Sequence, residues 1–92
     1  PDNLEAYLEL GLARKERREY QLALQAFEQA TRIAPQDPRP HYLAGLALKE
    51  GKDYRRSEVM LRQAAHLAPD DVLVRRQLAQ VVALNVVHNP RP

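Results

Sequence analysis

The side chains best able to hold a metal ion in this chain are three histidines, His41, His66 and His88. They stand 25 and 22 residues apart, and none has a second potential ligand three or four residues further along its own predicted helix. Zinc sites depend on such short ligand spacings, and the chain has no cysteine to supply a thiolate. We therefore predict no metal and no cofactor, and we interpret the histidines as surface or partly buried residues.

Hydroxyl nucleophiles are equally scarce, since Ser57 and Thr31 are the only hydroxyl side chains besides tyrosine. Ser57 falls at a helix-packing position where a small residue is needed, which leaves nucleophilic catalysis almost no candidate. The sequence also lacks a glycine-rich phosphate loop and the helix motif of metalloproteases. These observations predict that the protein is not an enzyme.

Positive charge is the third chemical feature, because arginine supplies 11 of the 14 cationic side chains. The arginines that would favour RNA binding are Arg14, Arg17, Arg18, Arg55 and Arg56. The net charge is only +2, and the tyrosines lie at helix starts rather than at the spacing that base stacking needs. We expect no nucleic-acid partner and interpret the first cluster as a solvated helix end, where cations complement the helix dipole.

The elements that position these residues are predicted to be helices. Alanine, leucine, glutamine, glutamate and arginine dominate the 92 residues, and these are strong helix formers. An all-α fold follows. No apolar run reaches 18 residues, so we expect no membrane insertion. The sequence leaves the compartment open, with the cytoplasm as the default.

An internal repeat organises the chain. The stretch Ala23–Pro35 returns 34 residues later as Ser57–Pro69 without an insertion, and such a fixed period is typical of repeat arrays. Aligned from Leu4 and from Pro38, the two copies share 11 identities in 34 positions.

The pattern predicts five helices, which are Leu4–Glu16, Tyr20–Ile33, one that begins at Pro38 and ends before a turn at residues 51–53, Tyr54–Leu67 and Val72–His88. Asn3, Asp37 and Asp71 precede three of them and are predicted to cap their first turns. The predicted domains are a remnant of a preceding repeat or a leading loop at 1–3, repeats at 4–37 and 38–71, a C-terminal helix at 72–88 and a tail at 89–92. We expect the chain to be an excised part of a longer array.

Two glycines and one aromatic residue predict how the helices pack. Gly11 and Gly45 lie within helices, where glycine costs about 1 kcal/mol relative to alanine. A close backbone approach must therefore compensate. We expect Phe27 to fill the space between the helices of its own pair and the next pair.

These residues resemble the tetratricopeptide repeat. The first copy supplies the family's pattern at seven positions and departs from it at Arg14, where a tyrosine would stand. The matching residues are Tyr7, Leu10, Gly11, Ala23, Phe27, Ala30 and Pro35. The second copy is looser but keeps Gly45, Ala64 and Pro69. The resemblance implies an α-α superhelix of two hairpins plus a C-terminal capping helix, which acts as a scaffold for protein–protein interaction.

In this family the first helix of each pair lines a concave groove that holds a peptide or helix of a partner. The equivalent positions here are Glu5, Leu8, Leu12, Lys15, Arg39, Tyr42, Leu46, Lys49, Arg76, Gln80 and Ala83. Leu8, Leu12, Tyr42 and Leu46 would form an apolar floor with cations beside it, which suits a segment with apolar anchors and a few acidic residues. The alternative is that these leucines pack against the neighbouring pair.

Two further predictions concern the kind of partner. Family members that clamp the C-terminal carboxylate of chaperones carry asparagine and lysine in the groove. Here those places hold Leu8, Leu12, Leu43, Leu73 and Gln77, so we reject that activity. The alternative function is self-association through an uncovered face of the last helix. Its candidate residues are Val74, Val81, Leu84, Val86 and Val87.

Overall fold

A computed structural model describes residues 3–90, and it consists of five α-helices joined by short loops. The helices are α1 (Leu4–Glu16), α2 (Tyr20–Ile33), α3 (Pro38–Glu50), α4 (Tyr54–Leu67) and α5 (Val72–His88). The predicted all-α fold and the number of helices are confirmed. Residues 1, 2, 91 and 92, which belong to the predicted leading remnant and tail, lie outside the described residues.

The helices begin where short polar side chains satisfy the free amides of the first turn. Asn3, Asp37 and Asp71 each accept a hydrogen bond from such an amide, at 3.0, 2.9 and 2.9 Å. These three predicted caps are confirmed. Asp53 caps α4 in the same way at 3.2 Å, whereas Glu19 gives α2 no side-chain cap. Each cap satisfies a donor that would otherwise lack a partner within the helix.

The turn inside each hairpin reverses the chain through one residue in the left-handed region. Arg18 has φ 62° and Lys52 has φ 66°, and the two residues are one period apart. A single left-handed residue after a helix ends it and directs the chain backwards. The three-residue turns at 17–19 and 51–53 therefore share one geometry, and both hairpins are antiparallel.

Inside each hairpin, the second helix packs through one small–large–small stripe. In α2 the stripe is Ala23, Phe27 and Ala30, and in α4 it is Ser57, Leu61 and Ala64, one period later. All six side chains are buried. The hydroxyl of Ser57 donates to the backbone oxygen of Gly45 at 2.7 Å, so its burial leaves no donor unsatisfied.

The two glycines lie where the large residue of each stripe meets the first helix. A Cβ at Gly11 would lie 2.3 Å from the ring of Phe27, and a Cβ at Gly45 would lie 2.7 Å from the side chain of Leu61. Both distances are shorter than any real contact of a Cβ atom. The predicted close approach is confirmed, and the two large residues occupy equivalent surroundings.

The hairpins stack so that the first helices form one layer. Each helix packs on its neighbours in sequence, and the backbone of α3 also comes close to those of α1 and α5, whereas the backbones of α2 and α4 are further apart within residues 3–90. Phe27 belongs to a cluster that extends from Leu8 of α1 to Ala44 and Ala47 of α3, as predicted for a residue between two pairs. The first helices α1, α3 and α5 are therefore the more closely packed layer.

We expect Phe27→Ala to lower the free energy of unfolding by about 3–5 kcal/mol, because it removes a fully buried ring and leaves a cavity. Urea denaturation measures the change. The control is Leu22→Ala on the same helix, where the side chain is exposed and the loss should stay below about 0.5 kcal/mol. Equal effects of the two substitutions would contradict the packing described here.

We expect Gly45→Ala to destabilise the protein by about 1–3 kcal/mol, because the new methyl overlaps buried Leu61. Helix propensity alone would predict that alanine raises the free energy of unfolding by about 1 kcal/mol. The sign of the measured change therefore distinguishes steric overlap from helix propensity. Gly51→Ala is the matched control. It has a negative φ, and its new Cβ would lie 3.3 Å from the ring of Tyr20, which has to shift by only a few tenths of an ångström. Thermal unfolding should therefore change much less than for Gly45→Ala.

Candidate functional site

The predicted groove residues lie on α1, α3 and α5, the more closely packed layer of helices. We call the surface formed by the predicted residues of these three helices the inner face. Polar contacts join its helices: Arg39 pairs with Glu5 at 3.0 Å, and Lys15 pairs with Glu50 at 2.7 Å. The structure therefore brings predicted residues from different repeats together on one side of the molecule.

The apolar floor of the inner face is smaller than predicted. Leu8 is only 4% exposed and belongs to the core cluster around Phe27, so it does not lie open to a partner. For Leu8 the alternative, packing against neighbouring helices, is the correct one. Leu12 is 37% exposed, and Tyr42 and Leu46 are half-buried. These three residues form the accessible floor.

Two of the four predicted cations are already paired with carboxylates. Lys15 is 15% exposed in its ion pair with Glu50. Arg39 contacts both Asp37 and Glu5. Hydrogen bonding to Asp37, and then to Glu5, raises the pKa of Arg39, and the same bond with Arg39 lowers the pKa of Asp37. Because both cations are paired with carboxylates, they leave little charge for a partner.

The other two predicted cations have no acidic partner among residues 3–90. The Nζ of Lys49 donates to the amide oxygens of Gln77 and Gln80 at 2.9 and 2.7 Å. Arg76 is exposed on α5, with no ion pair among the described side chains. Neutral amides orient an ammonium without cancelling its charge, so the α3–α5 part of the inner face is positive. Ala83 lies exposed on the same helix.

Two contacts of this face were missed by the sequence analysis: Glu50 with Lys15, and Gln77, which it placed in the groove, with Lys49. Glu50 lies at the C-terminal end of α3, and Lys15 lies near the C-terminal end of α1. Opposite charges at the matching ends of two adjacent helices could have predicted this ion pair from the sequence. Gln77 carried no such signal, because its contact with Lys49 depends on the offset between α3 and α5. Cross-helix contacts of this kind follow from stacking geometry rather than from the repeat alone.

The predicted self-association residues on α5 do not form one exposed surface. Val74 and Val81 are buried, so the prediction that they contact another copy needs correction. They lie one period after Pro40 and Ala47, which are buried in the same way on α3. Leu84 is half-buried, and only Val86 and Val87, at 66% and 72% exposure, are open to solvent.

A cavity of about 240 Å³ lies between α2, α3 and α4, lined largely by apolar side chains that include Leu24, Phe27, Leu48 and Met60. His41 also lines it, and burial lowers the pKa of this imidazole although a hydrogen bond with Gln63 acts in the opposite direction. Within residues 3–90, no three side chains able to ligate a metal lie together. In the same part of the chain, no helix is long and apolar enough to cross a membrane.

Two antiparallel hairpins stacked in phase, with their first helices in one layer, define a helical repeat protein of the solenoid class. The family model of the tetratricopeptide repeat matches residues 4–37, which comprise α1, α2 and the loop after them. Residues 4–37 thus match a tetratricopeptide repeat, and the resemblance is confirmed for this part of the chain. This family is generally a non-catalytic scaffold for protein–protein interaction. Comparison with curated proteins gave no match.

We expect the protein to lose stability on acidification between pH 7.5 and pH 5, because the folded state binds a proton on His41 less readily than the unfolded state. The stability that neutral His41 contributes is fully present above the ordinary histidine pKa of about 6.5. It declines as the pH falls toward the lower pKa that His41 has in the folded state. Urea denaturation at the two pH values measures it. His41→Gln should reduce the loss, whereas His66→Gln, at an exposed site, should leave it unchanged.

Proposed function

We propose that this chain is a protein-interaction scaffold whose inner face holds a peptide or helix that carries apolar anchors and acidic side chains. The observation that carries the proposal is the pair of cations without carboxylate partners, Lys49 and Arg76, beside the accessible floor of Leu12, Tyr42 and Leu46. Charged groups left unneutralised next to exposed apolar surface favour a ligand that offers both kinds of contact.

The hydrogen bonding of Lys49 supports an acidic contact at a defined point. A lysine ammonium has three donors, and Gln77 and Gln80 accept two of them. The third donor is available to a partner. Because the two amides hold the ammonium in place, a carboxylate that binds it does not have to immobilise a free lysine side chain, which lowers the entropic cost of the contact.

The floor supports a segment that crosses the repeats. Leu12 belongs to α1, Tyr42 and Leu46 to α3, and the cations to α3 and α5. A bound segment that anchors apolar side chains on the first two helices would therefore place its acidic residues toward α5. Tyrosine is enriched among the residues that carry a large share of binding energy at interfaces, which makes Tyr42 the principal anchor point of the floor.

We expect the combined substitution Leu12→Asp, Tyr42→Ala and Leu46→Asp to weaken the binding of array peptides by about tenfold or more, which corresponds to about 1.4 kcal/mol. The array presents 15-residue peptides that combine leucine or phenylalanine anchors with acidic residues. Lys49→Gln should selectively weaken the peptides with the most acidic residues. This selective loss should shrink at high salt, where the ionic contact is screened in the unsubstituted protein too.

The control is Leu22→Asp, which changes an exposed leucine on α2, outside the inner face. It should leave binding unchanged, and circular dichroism should show that every variant remains helical. Binding that survives the triple substitution would count decisively against the inner face as the docking site.

Self-association is the second candidate, and the exposed Val86 and Val87 at the end of α5 favour it. The burial of Val74 and Val81 leaves this surface two adjacent residues rather than a stripe along the helix. The inner face therefore carries the principal proposal.

A further inference from the structure

The cavity between α2, α3 and α4 lies on the opposite side of α3 from the inner face. Its lining residues on α3 are at positions 40, 41, 44 and 48, whereas the inner face uses positions 39, 42, 46 and 49. At 3.6 residues per turn, the two sets point in opposite directions from the helix axis. Three helices of the described residues form this cavity, and a hairpin stacked in register on α1 or on α5 would not reach it.

The repeat itself shows which side chains are missing from the cavity. Ala44 lies in phase with Leu10 of the first copy and with Leu78 of α5, so it is the one small residue among three equivalent positions. His41 likewise stands where the first copy has the larger Tyr7. Ala44 and His41 both line the cavity. The second copy therefore leaves open a space that leucine and tyrosine side chains would otherwise reduce.

The volume of the cavity limits its occupant to one ring with a short substituent. An apolar cavity of about 150 Å³ is enough to bind benzene, whereas pockets for drug-sized ligands begin at about 300 Å³. The cavity here, at about 240 Å³, lies between these values. Its walls include the ring of Phe27 and the thioether side chain of Met60, and both kinds of group make favourable contacts with an aromatic ring.

The acidic and basic side chains that line the cavity are already paired. Glu28 of α2 pairs with Arg32 at 3.3 Å, and Arg56 of α4 pairs with Asp53 at 3.6 Å. A charged ligand would gain little from either group, and it would lose its hydration against the apolar walls. The cavity therefore favours a neutral ligand.

A pair of polar side chains, His41 of α3 and Gln63 of α4, also lines the cavity, and the two are hydrogen-bonded to each other. Burial lowers the pKa of His41, so its imidazole is neutral at pH 7. A neutral imidazole has one nitrogen that donates and one that accepts, and the amide of Gln63 has further donors and acceptors. A hydroxyl group both donates and accepts, so it matches these two side chains.

We propose that this cavity is a binding site for a small neutral phenol. The ring lies against Phe27 and Met60 in the space that Ala44 leaves open, and the hydroxyl exchanges hydrogen bonds with His41 and Gln63. This inference goes beyond the proposed function, because it uses the other side of α3 and does not require a partner at the inner face.

Titration of the 92-residue chain with para-methylphenol tests the site by NMR. We expect saturable binding with a Kd of about 1 mM or tighter. The methyl signal of Met60, the only methionine, should shift with the same Kd. Absence of saturable binding up to about 10 mM overturns the proposal. So does binding of acetyl-Gly-Tyr-Gly-amide without binding of para-methylphenol, since the cavity would then receive a polypeptide side chain.

Two alanines provide matched variants of the chain. Ala44→Leu places in the cavity the residue that the first copy and α5 carry in phase, and it should abolish binding without lowering the unfolding temperature. Ala79→Leu makes the same change at an exposed site on α5 and should leave binding unchanged. Binding that persists in the Ala44→Leu chain contradicts the proposal. A lowered unfolding temperature of that chain contradicts it too, because the cavity would then be unable to hold even a leucine side chain.

A matched pair of ligands tests the hydrogen bonds. para-Xylene has the shape of para-methylphenol but has no hydroxyl. A purely apolar cavity would favour para-xylene, whereas the unsubstituted chain should bind para-methylphenol more tightly. His41→Leu should reduce this preference, and His66→Leu, at an exposed site outside the cavity, should preserve it. Tighter binding of para-xylene to the unsubstituted chain, or a preference that His41→Leu leaves unchanged, would show that the polar pair does not hold a hydroxyl and that the proposal is wrong.

Discussion

The contact of a large apolar side chain with a glycine is the interaction on which this structure depends. Phe27 lies against Gly11 and Leu61 against Gly45, at distances that leave no room for a Cβ. The glycine weakens its own helix by about 1 kcal/mol. The buried ring or leucine offsets that cost, because the two helices approach closely enough to exclude water along the whole stripe.

The contact with glycine also sets the relation between repeats. Phe27 extends beyond its own hairpin to the alanines of α3, so it joins two hairpins as well as two helices. Small residues on α3 let that helix come close, and the first helices then touch one another while α2 and α4 stay apart. The inner face lies on the layer of first helices that this difference in packing brings together.

On the surface, the same packing separates charges that are paired from charges that are not. Lys15 and Arg39 meet carboxylates because stacking brings the ends of α1 and α3 together. Lys49 meets only amides, because the residue of α5 one period after Glu50 is Leu84 and the polar groups within its reach are Gln77 and Gln80. Ion pairs at the surface add little stability, so their chief effect here is to decide which cations remain available to a partner.

The sequence by itself determined the five helices and the phase of the two hairpins, because capping residues, apolar spacing and the 34-residue period are local or repeated signals. It also placed the predicted contact residues on one layer. Only the tertiary structure decided that Leu8 and Val81 are buried while Leu12 and Val86 are open. Burial at these positions depends on how far each helix is offset from the next and on whether another helix covers it. Neither quantity is encoded in the residue itself, since the same apolar side chain suits a core and a docking surface equally well.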